Sequence, residues 1–334
     1  MSHSLNDVTP LRWRPGQDKD LVEVQALVAA IAAFDDTSQR VSLDELEAWF
    51  ETSGPLAPDL MALGYEGSSM VAVGWLTVSG AEPTVRLDGA VHPAFRHQGI
   101  GRALLRWQIH RARDWFVASE ATGPLRMVAF SDASMSNKRS LFTNQGFEPS
   151  RWLIDMICPF PTGQRVAEFV ATPVLGVRFE PFGPRWMEAT RQAHNEAFAD
   201  RWGSREVDPH TWAESLARAH ARPDLSWVAV DQWDTVVGYA LNSASDELGG
   251  PALGWTDRIG VRPAQRGRNI ARVLLARSLD SFRRAGMDAG GVGLDSVDGR
   301  GTALYQSLGY EPVDTIIQYQ RIETPEEARA ALTS

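Results

Sequence analysis

The clearest pattern in the chain is an amphipathic helix that occurs twice. Apolar residues spaced three and four positions apart predict a helical face that packs on a sheet. The two copies of this face, 170 positions apart, are Leu104, Leu105, Ile109 and Ala112, and Leu274, Leu275, Leu279 and Phe282. A repeat over this distance indicates that a whole domain occurs twice.

Short alternating segments give the same order of elements in each half. One strand precedes two helices, and three strands, the amphipathic helix, a strand, a helix and a last strand follow. A glycine ends the late helix in both halves, at Gly146 and Gly309, as expected of a left-handed cap. Ser42, with Glu45 three positions later, is typical of a capping box. This order predicts an α/β fold, with a mixed sheet and flanking helices, present twice in tandem.

Prolines and a glycine within residues 159–172 predict a linker between the two halves. We therefore expect an N-terminal domain over residues 1–158 and a C-terminal domain over residues 174–334. The length of 334 residues fits two domains better than one.

Composition excludes several classes of protein. Hydrophobic residues make up 43% of the chain, and the formal net charge of −9 argues against a nucleic-acid partner held by phosphate neutralisation. The single cysteine, Cys158, lies in an apolar strand and permits neither a disulfide nor a cysteine-based metal cluster, so we expect a buried thiol and no metal. No signal peptide and no run of 18 apolar residues is visible. We therefore expect a cytoplasmic protein without a membrane partner.

A turn that contains small residues joins a strand to the repeated helix. It reads Arg96-His97-Gln98-Gly99-Ile100-Gly101 in the first half and Arg266-Gly267-Arg268-Asn269-Ile270-Ala271 in the second. Small residues let the backbone bring its N–H groups close to a ligand, and a helix N-terminus adds partial positive charge. The pattern predicts a diphosphate site in each half, to which the arginines can add charge.

This turn resembles the coenzyme A signature of the GNAT acyltransferase superfamily. A second signature of that family is the late helix that reads Leu304-Tyr305-Gln306-Ser307-Leu308-Gly309-Tyr310. The tandem arrangement resembles mycothiol synthase and related actinobacterial acetyltransferases. The resemblance implies acetyl-CoA as cosubstrate, a splayed pair of parallel strands around the pantetheine, and direct attack of an amine without a covalent acyl-enzyme. The residues that it implies around the coenzyme are Val91, Arg96, His97, Gln98, Gly99, Ile100, Gly101, Val261, Arg266, Gly267, Arg268, Asn269, Ile270 and Ala271.

The two halves depart from the family pattern in different places. The resemblance implies a tyrosine in the late helix that protonates the departing thiolate, and this position is Tyr305 in the second half but Phe142 in the first. Phenylalanine cannot donate a proton. The second half has Asn269 where the family has its first glycine, and asparagine adopts left-handed backbone more readily than other non-glycine residues. We therefore expect the C-terminal domain to be catalytic and the N-terminal domain to be degenerate or regulatory.

Candidates for the base and the acceptor site come from residue type and position. Alternation along the strand before the second turn puts Asp257 on the same face as Ile259 and Val261, where it is either the base, a solvated carboxylate or the partner of Arg258. Glu196 and Asp200, one helical turn apart, are candidates to bind an amine or form a solvated helix face.

Three functions remain open at this point. The first is transfer of an acetyl group to a small-molecule amine, the second is acetylation of a protein or peptide, and the third is a non-catalytic acetyl-CoA sensor or scaffold. The sequence leaves the acceptor and the oligomeric state undetermined.

Overall fold

The computed structural model describes residues 5–37, 41–79, 83–160, 169–199, 206–218, 220–245, 252–297 and 302–333. The chain forms two compact units, which we call the first and the second unit. The first comprises Met1–Trp152 together with Asp314–Ser334, and the second comprises Leu153–Val313.

The first unit is built on a mixed sheet. Its strands in sheet order are β1 (Arg12–Pro15), β2 (Met61–Glu66), β3 (Ser69–Ser79), β4 (Thr84–Val91), β5 (Leu125–Asp132) and β12 (Glu311–Glu323, from Asp314 onward). Its helices are α1 (Leu5–Val8), α2 (Leu21–Asp35), α3 (Leu43–Ser53), α4 (Ile100–Ala118), α5 (Ser136–Thr143) and α10 (Pro325–Thr333). Strands β4 and β5 are parallel, and the pairs β1–β2, β2–β3, β3–β4 and β5–β12 are antiparallel.

The second unit repeats this plan. Its strands in sheet order are β6 (Glu148–Pro159, from Leu153 onward), β11 (Ala289–Ser296), β10 (Leu253–Val261), β9 (Val236–Ser245), β8 (Trp227–Asp231) and β7 (Val177–Pro181). Its helices are α6 (Met187–Phe198), α7 (Pro209–Leu216), α8 (Ile270–Arg284) and α9 (Ala303–Gln306). Strands β10 and β11 are parallel, and β7 to β10 form antiparallel pairs.

The repeated amphipathic helix is confirmed as α4 and α8. All eight residues of its predicted apolar face are buried, because each helix covers one face of its sheet. The capping box is also confirmed: the Ser42 hydroxyl accepts from the amide of Glu45, and the Glu45 carboxylate accepts from the amide of Ser42. Cys158 is fully buried in β6, as expected of a structural thiol.

The units differ from the sequence-based domains 1–158 and 174–334 at both ends. Residues 153–158 of β6 belong to the second unit, and residues 314–334, which include most of β12, belong to the first. In the first unit, β12 pairs with β5 from Ile316↔Asp132 to Glu323↔Leu125. The N-terminal half of the chain therefore contributes the end of β6 to the second unit, and the C-terminal half contributes most of β12 to the first unit.

Among the residues described, no helix combines the length and the apolar character needed to span a bilayer.

Candidate active site

The turns before α4 and α8 have the same backbone geometry. Each begins with a 3₁₀ turn, Pro93–Phe95 or Pro263–Gln265, and has left-handed backbone at two positions. The first turn places His97 and Gly99 there, with φ of 63° and 82°. In the second turn Gly267 has a φ of 78° and Asn269 a φ of 63°. Asn269 thus adopts the conformation expected of it and serves as the N-cap position of α8.

The amides of both turns are unpaired within the part of the chain that the structure describes. The backbone N–H groups of residues 97–102 and 267–272 make no hydrogen bond there, whereas those on either side do, for example Arg266 with Pro263 and Val273 with Asn269. Six successive free amides at a helix N-terminus form a concave anion site. The two turns therefore have the geometry of the diphosphate sites predicted from the sequence.

The first arginine of each turn holds the turn in place. The Arg96 guanidinium donates two hydrogen bonds of 2.7 Å to the carboxylate of Asp35, and its Nε donates to the carbonyl of Val91. The Arg266 guanidinium donates to the carbonyls of Val261 and Ala197. The guanidinium groups of both arginines thus pair with protein oxygen atoms, which leaves the turn amides as the main candidates for a phosphate.

The parallel strands of the second unit separate next to its turn. Pairing between β10 and β11 runs from Leu253↔Ala289 to Thr256↔Val292, so β10 continues beyond Thr256 without that partner. In the first unit, the pairing of β4 with β5 ends in the same way at Leu87↔Ala129. A notch between two parallel strands, at their carboxyl ends, is a common place for a ligand in an α/β sheet.

A β-bulge lies in β10 at the start of this notch. The pairing with β9 moves from Thr256↔Asn242 to Arg258↔Leu241, so Asp257 is an extra residue without a partner. Strand β4 has no such irregularity, because its pairing with β3 is continuous from Ala72↔Val91 to Ser79↔Thr84. This difference separates the second unit from the first.

The bulge corrects the predicted orientation of Asp257. Ile259 and Val261 pack towards α8, but the Asp257 carboxylate accepts a hydrogen bond of 2.9 Å from the hydroxyl of Ser243. Ser243 shares its face of β9 with Leu241, which packs in the cluster below α6 and α7. The prediction that Asp257 shares a face with Ile259 and Val261 is therefore wrong, because an extra residue inverts the alternation.

The Asp257 carboxylate is accessible and has a raised pKa. Partial withdrawal from water raises the pKa, and the hydrogen bond from Ser243 and the charges of Arg258 and Arg218 oppose this shift. No ion pair between Asp257 and Arg258 forms within the described residues. A carboxylate with a raised pKa that remains open to solvent can accept a proton from a ligand.

Tyr305 is half-buried in α9, which follows β11. Burial raises the pKa of its hydroxyl to about 12, so the group is protonated at neutral pH. The ring packs edge-on against Tyr310, with centroids 5.9 Å apart, and the hydroxyl makes no hydrogen bond to any described residue. The hydroxyl is therefore a free proton donor.

The equivalent position of the first unit lacks such a donor. The Phe142 ring is buried in α5 and packs against Phe147 and Tyr319. The ammonium of Lys138, one helical turn earlier, lies 6.0 Å from the Phe142 ring centroid, and burial lowers its pKa. The first unit thus offers a cation and an aromatic ring where the second offers a hydroxyl.

Of the two acceptor-site candidates, only Glu196, in α6, lies within the described residues, and Asp200 lies outside them. The Glu196 carboxylate pairs with Arg262, and both residues line a surface cavity of about 470 Å³ beside the turn Pro263–Gln265. Because this ion pair engages the carboxylate, Glu196 is a weaker candidate for binding an amine than the sequence indicated.

A cluster that the sequence analysis missed lies on the same face as Asp257. His194 of α6 shares a hydrogen bond of 2.5 Å with the Tyr239 hydroxyl, and its ring packs on Trp212 of α7. Burial and the charge of Arg258 lower the pKa of His194 to about 4, so His194 is neutral at pH 7. Only a glycine fits opposite Tyr239, since a Cβ on Gly260 would lie 2.7 Å from its ring. The sequence carries no signal for this cluster, because His194, Trp212 and Tyr239 come from three separate elements.

Comparison with known proteins agrees with this fold. The family described as "Acetyltransferase (GNAT) family" matches residues 28–125, and the one described as "Acetyltransferase (GNAT) domain" matches residues 222–312. The chain belongs to the GNAT acetyltransferases and carries two of their domains in tandem, which makes it an N-acetyltransferase by class.

Its curated relatives include mycothiol acetyltransferases. The protein of that name from Propionibacterium freudenreichii subsp. shermanii is 26% identical over 319 residues, which is 93% of this chain and 91% of the relative. The one from Salinispora arenicola is 28% identical over 264 residues, 75% and 78% of the two chains.

Solved structures show the same tandem fold. A GCN5-related N-acetyltransferase from Sphaerobacter thermophilus superposes with a TM-score of 0.69 at 22% identity, over 93% of this chain and 95% of the other. A tandem GNAT protein from the clavulanic acid biosynthesis pathway gives a TM-score of 0.58 at 17% identity, over 93% and 98% of the two chains.

Proposed function

We propose that the second unit transfers an acetyl group from acetyl-CoA to a primary amine of a small molecule, by direct attack of the amine on the thioester. The observation that carries this proposal is the combination, in one unit, of free turn amides, a bulge at the notch and a free tyrosine hydroxyl. The mycothiol acetyltransferase relatives favour a small-molecule acceptor.

The turn before α8 binds the diphosphate of the coenzyme in this proposal. The amides of residues 267–272 donate to phosphate oxygens, and the partial positive charge at the start of α8 adds to the attraction. The exposed guanidinium of Arg268 lies in the same turn, where it donates to the Gln265 side chain and to the Leu175 carbonyl, so it contributes positive charge near the phosphates. The pantetheine then follows the notch between β10 and β11 towards the bulge.

The bulge accounts for stabilisation of charge on the thioester oxygen. A bulged residue leaves backbone groups of the strand outside the sheet ladder, so an amide near Asp257 is available as a donor. Backbone donors aimed at a developing oxyanion are worth about 3–4 kcal/mol of the activation barrier in acyl transfer. Strand β4 has no such bulge, because its pairing with β3 is continuous.

Two protons have to move in the reaction. An alkyl ammonium has a pKa of about 10.4 and must become neutral before it attacks, and Asp257 accepts that proton directly or through water. The C–N bond forms, the C–S bond breaks, and the thiolate takes a proton from the Tyr305 hydroxyl. The second proton that the nitrogen loses as it becomes an amide then restores the Tyr305 hydroxyl, directly or through water, and the proton on Asp257 leaves to solvent. The pKa of about 12 keeps Tyr305 protonated until then.

The first unit does not turn over in this proposal, because Phe142 supplies no proton and β4 has no bulge. Its turn keeps the free amides of residues 97–102, and we propose that these bind the diphosphate of a second coenzyme molecule, which is not consumed.

A thiol-release assay with acetyl-CoA and a panel of amines tests the proposal. Tyr305→Phe should lower kcat by about 100-fold and leave the Kd for acetyl-CoA within about twofold. Tyr310→Phe is the matched control, because the adjacent Tyr310 hydroxyl is buried and has no hydrogen-bond partner among the described residues. Binding of acetyl-CoA without acceptor-dependent thiol release would instead indicate a sensor.

A further inference from the structure

The bulge in β10 brings two consecutive side chains of opposite charge to one face. Asp257 contacts Ser243 of β9, and Arg258 contacts Ser215 and Trp212 of α7. Consecutive residues of a regular strand point to opposite faces, so only the extra residue permits this arrangement. A carboxylate and a guanidinium thus lie next to each other where β10 leaves β11.

Arg258 is held in place by neutral groups. Its Nη1 donates a hydrogen bond of 3.1 Å to the Ser215 hydroxyl, and its guanidinium lies 5.2 Å from the Trp212 ring centroid. Within the described residues, no carboxylate lies within ion-pair distance of it. Other arginines of the unit do have such partners, for example Arg222 with Asp224 and Arg262 with Glu196.

The charge of a second arginine acts on the same carboxylate. The charge of Arg218, in the segment after α7, acts on Asp257 together with that of Arg258. Arg218 is exposed, and neither a hydrogen bond nor an ion pair of its side chain occurs among the described residues. The charges of two arginines without an ion-pair partner among the described residues thus act on the Asp257 carboxylate.

We propose that the acceptor amine also carries an anionic group, a carboxylate or a phosphate, a few bonds from its nitrogen. This inference rests on the proposed function of the second unit. The ammonium of such a ligand lies against Asp257, and its anionic group accepts hydrogen bonds from Arg258, with Arg218 adding charge. A guanidinium that is half-buried and preorganised on an aromatic ring loses little entropy when it binds a planar anion.

The same arrangement selects against acceptors without an anion. Such a ligand would place its cation near two arginines and would leave the half-buried Arg258 guanidinium without an anionic partner. The loss of one charge-assisted hydrogen bond corresponds to roughly a 10- to 100-fold loss of affinity. Specificity for the anionic acceptor therefore comes both from attraction and from rejection of its neutral analogue.

Matched acceptor pairs test this on the wild-type protein. Lysine and cadaverine, phenylalanine and phenethylamine, and glucosamine 6-phosphate and glucosamine each differ by the anionic group. Thiol release from acetyl-CoA should show a kcat/KM at least about tenfold higher for the anionic member of at least one pair, with the difference mainly in KM. The carboxylate and phosphate pairs together distinguish the two anions.

The outcomes separate this inference from the function on which it rests. Equal or higher kcat/KM for the neutral member of every reactive pair would overturn the anionic acceptor and leave the acetyltransferase proposal intact. Thiol release with none of the six amines would contradict both.

Variants assign the effect to the arginine. Arg258→Gln should lower the ratio of kcat/KM for the anionic member to kcat/KM for the neutral member by at least about tenfold. Arg258→Lys should retain part of the preference for the anionic acceptor. Lysine keeps the positive charge but lacks the planar set of donors of the guanidinium. Arg222→Gln is the matched control, because Arg222 already pairs with Asp224. Should Arg258→Gln not fold, Arg218→Gln at an exposed position should lower the same preference, and an unchanged preference would count against the inference.

Discussion

The hydroxyl of Ser243 donates a hydrogen bond of 2.9 Å to the carboxylate of Asp257 across strands β9 and β10. This contact fixes the face on which Asp257 lies, and it is possible only because the strand contains one extra residue before Arg258. The carboxylate therefore faces the side of α6 and α7 and not the packed side of α8. Acceptor binding is expected on that open side.

Asp257→Asn should separate activity from stability. Transfer to an amine should fall by about 100-fold, because the amide cannot accept the proton. The raised pKa means that the folded state holds its proton more tightly than the unfolded state does, so the ionised carboxylate reduces stability as pH rises through its pKa. At pH 7 the Tm of the variant should therefore equal or exceed that of the wild type, as measured by calorimetry.

The pH profile gives an independent readout of Asp257. In the wild type, kcat/KM should fall as pH decreases through a pKa above that of an ordinary aspartate, and this limb should be absent in Asp257→Asn. Ser243→Ala removes a hydrogen bond that lowers the pKa, so it should move the limb to higher pH. A limb that Asp257→Asn leaves unchanged would show that another group is the base.

Asn269 should tolerate glycine but not a branched residue. Its φ of 63° is left-handed, where glycine is unstrained and a β-branched side chain costs about 1–2 kcal/mol. Asn269→Gly should keep both Tm and the Kd for acetyl-CoA, while Asn269→Val should lower Tm and weaken coenzyme binding. The same change at an exposed helical position, Arg284→Val, controls for the general effect of valine. Equal effects of Asn269→Val and Arg284→Val would show that the backbone at residue 269 is unimportant.

Phe142→Tyr should not make the first unit active. A tyrosine there supplies a hydroxyl, but β4 still has no bulge and Phe142 lies in a packed aromatic cluster. In a Tyr305→Phe background, thiol release should remain at the background level. The buried hydroxyl should also lower stability by about 1–3 kcal/mol, which denaturant unfolding can measure. Recovery of activity in the double variant would mean that the first unit lacks only the proton donor.

Arg96→Met should affect the first unit alone. The bidentate ion pair of Arg96 with Asp35 is largely shielded from solvent. Its loss should lower the free energy of unfolding by about 1–3 kcal/mol and disorder the turn before α4. Acetyl transfer by the folded protein should remain within about twofold of the wild type. The second unit offers the comparison, because Arg266→Met should reduce transfer strongly. If Arg96→Met abolished transfer in a folded protein and Arg266→Met did not, the first unit would be the catalytic one.

Much of the architecture could be predicted from local patterns. The faces of α4 and α8, the capping box at Ser42 and the order of strands follow from periodicity and turn chemistry, which neighbouring residues determine. The left-handed conformation of Asn269 could be predicted as well, because it depends on residue type at one position.

Other features depend on contacts that no local pattern encodes. The bulge at Asp257 has no signature in the sequence, and a single extra residue changed the face of a candidate catalytic group. The transfer of β12 to the first unit depends on which strand edge is free, and the engagement of Glu196 by Arg262 depends on two segments far apart in sequence. From the sequence, Arg258 is only a candidate partner of Asp257. Its contacts with Trp212 and Ser215 involve helix α7, which is distant in sequence.

A crystal structure of the protein with acetyl-CoA tests the central claim most directly. The account predicts that the diphosphate accepts hydrogen bonds from the amides of residues 267–272, that the thioester lies at the bulge beside Asp257, and that the Tyr305 hydroxyl reaches the sulfur. Coenzyme bound only at the turn of residues 97–102, or an acetyl group remote from both Asp257 and Tyr305, would contradict it.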